Sequence, residues 1–297
     1  MFSVLFLFVW FNLIDSSIGF SSLMMMNTER NNIKGVFFDV DGTLSDSFKL
    51  GFDATQAVLK NNDYKLISES DYHLGTKYTT PERFAWHVTN DPTNIDIGKE
   101  LGQEFDELYV KLVNLETAAL YSGINDMLIE TKQNHDVIYS ALSNACTDYV
   151  KAVLKVNSIS NLFPIQLGAD NVKKSKPSPD GLLEICNNLN IPPSASIYIG
   201  DSPTDGQAAK AAKMKSIGVT WGSHKNISEH FDITVDNINE LIQELDKMLK
   251  NDIIGISSND AWTSHIHHKS GCEYWYNSIT GDTTWTKPNN LKQIENK

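Results

Sequence analysis

The stretch Phe37-Phe38-Asp39-Val40-Asp41-Gly42-Thr43-Leu44 decides how this chain is read. Residues 33–38 form an apolar run with the length and character of a buried strand. Two carboxylates two residues apart end it, followed at once by a glycine and a hydroxyl residue. Ending a hydrophobic strand in two acids is costly unless something cationic compensates them. A bound metal ion, with one acid as nucleophile and the other as proton donor, would explain the placement. A strand-end acid pair without a chemical role is the reading this run alone leaves open.

Three more segments follow in order. The apolar strand Val137-Ile138-Tyr139-Ser140-Ala141-Leu142 ends in Ser143-Asn144, Lys176 opens a Lys-Pro-Ser-Pro-Asp run, and Asp201 and Asp205 follow the short strand Ile197–Gly200. Each has a plain explanation when taken alone. Ser143-Asn144 would serve as a strand-ending turn and Lys176 as a solvated loop residue. Asp201 and Asp205 would cap a helix whose first turn holds Pro203. As an ordered set with Asp39 and Asp41, the segments resemble the four motifs of the haloacid dehalogenase-like phosphohydrolases.

The chemistry that the resemblance implies accounts for the residue types. A carboxylate attacking a phosphate dianion meets like-charge repulsion, which grows several-fold in a low-dielectric cleft. The site therefore needs positive charge and aimed donors. By resemblance, Asp39 is the nucleophile that forms an aspartyl phosphate. Asp41 protonates the leaving oxygen and then activates the hydrolytic water. Mg²⁺, a hard oxygen-seeking cation, falls to the Asp39 carboxylate, the Asp41 main-chain carbonyl and Asp201, with Asp205 supporting that shell or binding through water. Lys176 and Ser143 meet the phosphoryl oxygens, and Asn144 orients the loop or the nucleophile. The superfamily's dehalogenases lack an acid at the second position and need no metal, so Asp41 with Asp201 favours phosphoryl transfer. The segment around Asp201, with the following Met-Lys-Ser-Ile-Gly-Val-Thr-Trp-Gly-Ser-His, is most similar to phosphoglycolate phosphatases. That similarity favours a phosphatase of a small phosphorylated metabolite. A phosphomutase uses the same aspartyl phosphate and stays open at this point.

Composition bounds the rest. The chain has 297 residues, 41% of them hydrophobic, and a formal charge of −12. An acidic surface argues against a nucleic-acid partner. Cys146, Cys186 and Cys272 are odd in number and far apart, without a disulfide framework or paired zinc spacing. Residues 1–30 read as a targeting segment: Phe2 to Ile14 is apolar but short of the roughly 20 residues of a stable membrane span. The run suits a secretory signal, and the Ser-Ile-Gly-Phe-Ser junction resembles bipartite signals for complex plastids. A cytoplasmic protein starting at Met24, Met25 or Met26 is the alternative.

Apolar strands alternating with helical stretches over residues 33–250 predict a doubly wound, parallel α/β sheet of the Rossmann-like kind. Helical, charge-rich residues 47–120 interrupt the pattern, and the resemblance makes them an inserted cap with Lys77 and Arg83 as candidate substrate contacts. Residues 237–250 read as the last amphipathic helix. After a linker at 251–258, residues 259–290 resemble a WW domain, a three-stranded antiparallel sheet closed by Trp262 and Pro288 against Trp275. Asn277 is structural in that pattern. Tyr274 and Trp285, flanked by Tyr276 and Thr283, form the groove for a proline-rich peptide. His265, His267, His268 and Cys272 form a minor zinc alternative. A non-catalytic adaptor built on the enzyme scaffold competes with the enzyme reading, although it leaves Asp39, Asp41, Lys176 and Asp201 without a reason to occur together.

Overall fold

The computed structural model describes residues 33–250, 262–266, 273–277 and 283–287. The targeting segment, the linker, and His267, His268, Cys272 and Pro288 lie outside the described residues.

The apolar run at Gly35–Phe38 is β1, with every residue buried. It lies at the centre of a parallel six-stranded sheet with β2 (Ile138–Leu142), β3 (Ile165–Leu167), β4 (Ser196–Gly200), β5 (Lys215–Val219) and β6 (Ile233–Val235), in the order β3-β2-β1-β4-β5-β6. The expected doubly wound architecture is therefore present. Edge strand β3 is an addition to the sequence reading. It has three half-buried residues, too few to show a hydrophobic period.

Because strand side chains alternate between faces, β1 supplies both cores. Val36 and Phe38 join one cluster, with Tyr139, Tyr149 and Phe163, whereas Phe37 joins the other, with Leu142, Leu182 and Tyr198. Each such buried apolar side chain contributes about 1.5–3 kcal/mol.

Four helices are inserted between β1 and β2: α1 (Phe48–Asn61), α2 (Glu69–Gly75), α3 (Thr80–Thr89) and α4 (Ile95–Leu112). The two strands of chain that lead into and out of this insertion are hydrogen-bonded to each other, Asp46 N to Ala119 O at 3.0 Å and Tyr121 N to Leu44 O at 3.0 Å. α3 and α4 pack closely because Gly98 faces the Pro81 carbonyl, where any Cβ would overlap. The remaining helices, α5 (Ile124–Asn134), α6 (Thr147–Val156), α7 (Asp180–Leu189), α8 (Pro203–Ala212) and α9 (Ile238–Lys250), connect or cover the strands. α9 buries Leu241, Leu245 and Leu249, the stripe expected of an amphipathic last helix.

The C-terminal segment forms a separate antiparallel sheet, β7 (Trp262–Ile266), β8 (Glu273–Asn277) and β9 (Thr283–Thr284). Tyr276 pairs with Thr283, and the Tyr274 ring lies 5.5 Å from His265 and 5.7 Å from Trp285.

Candidate active site

In the order β3-β2-β1-β4, the chain reverses its winding direction beside β1, and ligands bind at such switch points beyond the carboxyl ends of the strands. Asp39 and Asp41 follow β1, Ser143 and Asn144 follow β2, and Asp201 follows β4. Lys176 comes from the loop between β3 and α7. All six line one cleft.

The buried Lys176 ammonium organises the centre. It donates to Asp39 Oδ1 and Asp205 Oδ1, both at 2.6 Å, and also meets Tyr198 OH at 3.1 Å and Leu142 O at 3.2 Å. Burial works against this charge, but Asp205 and then Asp39 outweigh it and hold the lysine above its ordinary range. Asn144 fixes the lysine's backbone from both sides: its Oδ1 accepts from Lys176 N at 3.0 Å and its Nδ2 donates to Lys176 O at 2.9 Å. Asp205 has both oxygens occupied, since Oδ2 accepts from Ser202 N at 3.0 Å and Ser202 Oγ at 2.6 Å as the N-terminal box of α8.

Asp41 is held differently, by hydroxyls alone. Its Oδ1 accepts from Ser47 Oγ at 2.6 Å, Tyr149 OH at 2.6 Å and Tyr109 OH at 3.0 Å, and its Oδ2 from Ser143 Oγ at 3.0 Å. Burial, followed by the Asp41 charge, pushes both tyrosines above their ordinary range, so they remain protonated donors. Tyr109 belongs to α4 of the insertion, and its ring stacks on Tyr149 of α6 at 4.0 Å.

Sequence reasoning missed Ser47, Tyr109, Tyr149 and Tyr198. A tyrosine on the buried face of an amphipathic helix reads as core, and nothing in its spacing says that its hydroxyl meets a carboxylate across the fold. Of the two cap candidates, Arg83 lines the cleft, whereas Lys77 is exposed and lies over the Tyr78 ring. Burial pushes the half-buried Cys146 thiol up to about 12, with Asp106 adding to the shift, so it is not held as a reactive thiolate.

One oxygen from each of Asp39, Asp201 and Asp205 lies within 4.8 Å of the others. Asp201 Oδ2 accepts from Ser223 N at 2.8 Å. Gly42, at φ +77°, and Gly222 both face this carboxylate where a Cβ would overlap it, so the backbone closes in on the acid at those two positions. Burial is the largest influence raising both Asp39 and Asp201 above the ordinary carboxylate range; Lys176 opposes it at Asp39 and His224 at Asp201. An all-oxygen set that burial disfavours in its charged form suits a hard divalent cation such as Mg²⁺.

Residues 36–219 match the family described as haloacid dehalogenase-like hydrolase. The chain belongs to that family. Among curated relatives it is 29% identical to the phosphoglycolate phosphatase of Escherichia coli K12 over 238 residues, covering 72% of this chain and 93% of that protein. The phosphoglycolate phosphatase of Salmonella typhi is 28% identical over 237 residues, with the same coverage. Among solved structures, a predicted phosphoglycolate phosphatase from Haemophilus somnus superposes with a TM-score of 0.62 at 24% identity, covering 72% of this chain and 98% of that one. CbbY from Rhodobacter sphaeroides in complex with phosphate gives 0.60 at 24% identity, over 70% and 96%. This hydrolase is therefore similar to phosphoglycolate phosphatases in sequence and shares the fold of the solved proteins.

Proposed function

We propose that this hydrolase is a Mg²⁺-dependent phosphatase of small phosphomonoesters acting through an aspartyl phosphate. The observation that carries this reading is the convergence of Asp39, Lys176 and Asp201 in one cleft. The Asp39 carboxylate attacks phosphorus, the bond from phosphorus to the alcohol oxygen breaks, and Asp41 gives that oxygen its proton. Asp41 then takes a proton from water as the water attacks the aspartyl phosphate, releasing phosphate and restoring Asp39. Lys176 neutralises charge on the transferring group, and Ser143 turns from Asp41 to a phosphoryl oxygen. Asn144 acts by holding Lys176, and Asp205 by anchoring its ammonium. Asp39, Asp201 and the Asp41 main-chain carbonyl would hold the Mg²⁺, which supplies the remaining positive charge that lets two anions meet.

Phosphate release from an aryl phosphate checks this. Asp39→Asn should abolish it, and turnover retained by that variant would sink the assignment. A transferred phosphoryl group in place of free phosphate would make the enzyme a mutase.

The C-terminal sheet supports a second, compatible reading as a WW-like module for proline-rich peptides. Tyr274 and Trp285 adjoin on one side, with Tyr276 and Thr283 paired next to them, and Trp285 is 61% exposed. Binding on a proline-rich peptide array should disappear in Trp285→Ala. An array with no signal above that variant would remove the module from the account, and peptide binding without any ester turnover would leave an adaptor.

A further inference from the structure

Arg83 is a buried guanidinium at 8% exposure, on the cap side of the same cleft that holds Asp39 and Lys176. Its surroundings are aromatic: the guanidinium carbon lies 4.5 Å from the Phe105 ring centroid, 5.2 Å from Tyr72 and 5.7 Å from Phe84. Its Nη1 reaches Tyr72 OH at a long 3.4 Å, whereas Nε and Nη2 are buried and have no hydrogen-bond partner. Those two nitrogens lie on one edge of the planar group, the edge whose parallel N–H bonds match the two oxygens of a carboxylate or phosphate. Asp106 is near enough for its charge to be felt by Arg83, yet no hydrogen bond joins the two. A buried charge with its best donor edge unspent is expensive, and in a cleft wall the missing partner is a ligand anion.

We infer that Arg83 is a specificity-determining residue that takes, edge-on, a carboxylate at the end of the substrate remote from the phosphate. A single arginine, among the described residues the one cation on this side of the cleft lining, balances one negative charge, which favours a carboxylate over a second phosphate dianion. The preferred substrate class is then a short phosphorylated carboxylic acid. Thr76, Tyr78 and Thr80 line the same side of the cleft and offer further hydroxyls. This inference rests on the phosphatase reading for the other end of the substrate, and its test separates the two.

Binding of three phosphonates to the full chain with Mg²⁺, followed by titration calorimetry, reads Arg83 without turnover. They are 3-phosphonopropionate, propylphosphonate, which lacks the carboxylate, and propane-1,3-bisphosphonate. The wild type should bind the carboxylate compound at least about tenfold more tightly than propylphosphonate. Arg83→Gln should erase that preference while holding propylphosphonate within about threefold, and Arg83→Lys should restore part of it. A wild type that does not discriminate, or an Arg83→Gln that weakens both ligands equally, overturns the inference. The bisphosphonate as the tightest ligand, dependent on Arg83, overturns the carboxylate assignment. If Arg83→Gln does not fold, the wild-type preferences and Arg83→Lys decide. Preference intact in a protein that releases no phosphate from 2-phosphoglycolate overturns the phosphatase reading and leaves Arg83 in its role.

Discussion

Lys176 and Arg83 are both buried cations in one cleft, and they are treated in opposite ways. Lys176 is surrounded by acceptors, two carboxylates at 2.6 Å among them. Arg83 has one long hydrogen bond, three aromatic neighbours and two idle donors. A cation whose partners are built into the fold is set before the substrate arrives, so it can act on charge that develops during reaction. A cation with an unspent donor edge gains its partner only on binding, so it discriminates between ligands. Under the proposed function, the sheet end of the cleft serves chemistry and the cap end recognition.

Among variants that test this contrast, the largest effect should come from Lys176→Met. It removes the charge that holds Asp39 and Asp205 together, and leaving buried carboxylates unpaired costs about 3–5 kcal/mol. Denaturant unfolding should show that loss together with a fall in turnover of about 10²–10³-fold. A variant as stable as the wild type would mean that the network is not the built-in device described. The Arg83 substitutions come next, with an effect confined to ligands that carry a distal anion.

The smallest effect tests whether Asp106 is secretly the partner of Arg83. Burial is the main influence raising this carboxyl from the ordinary 3.8 to about 6. Its folded form therefore keeps a proton to higher pH than the unfolded chain does. The stability linked to that proton is full below the unfolded value and is lost as pH rises through about 6. Asp106→Asn should gain about 1–2 kcal/mol at pH 8 and about a third of that at pH 4.5 in urea unfolding. Destabilisation at pH 8 would show an internal ion pair, and the contrast between the two cations would collapse.

The same division governs how much the sequence reveals. The parallel sheet is legible from its alternation of apolar strands and helices, and the acids because strand-end carboxylates contradict their own hydrophobic context. Lys176 is legible only through its place in an ordered set. Tyr149 and Tyr109 are hidden, because a buried tyrosine satisfies the apolar pattern whether or not its hydroxyl has work. β3 is hidden because three half-buried residues carry no period. Arg83 is set apart from Lys77, the insertion's other candidate, only once the fold shows which charge is wrapped in rings.

The bond from Tyr109 to Asp41 joins the insertion to the strand-end loop at 3.0 Å. Asp46 pairs with Ala119, and Leu44 with Tyr121, where the chain enters and leaves the insertion, so any swing about that crossing carries Tyr109 away from the acid. Tyr109 is thus the donor to Asp41 that a helix of the insertion supplies. Under the proposed mechanism, the aim of the proton donor would then depend on the insertion as well as on the sheet. The insertion would in this way act at both ends of the substrate, through Arg83 and through the Tyr109 bond to Asp41.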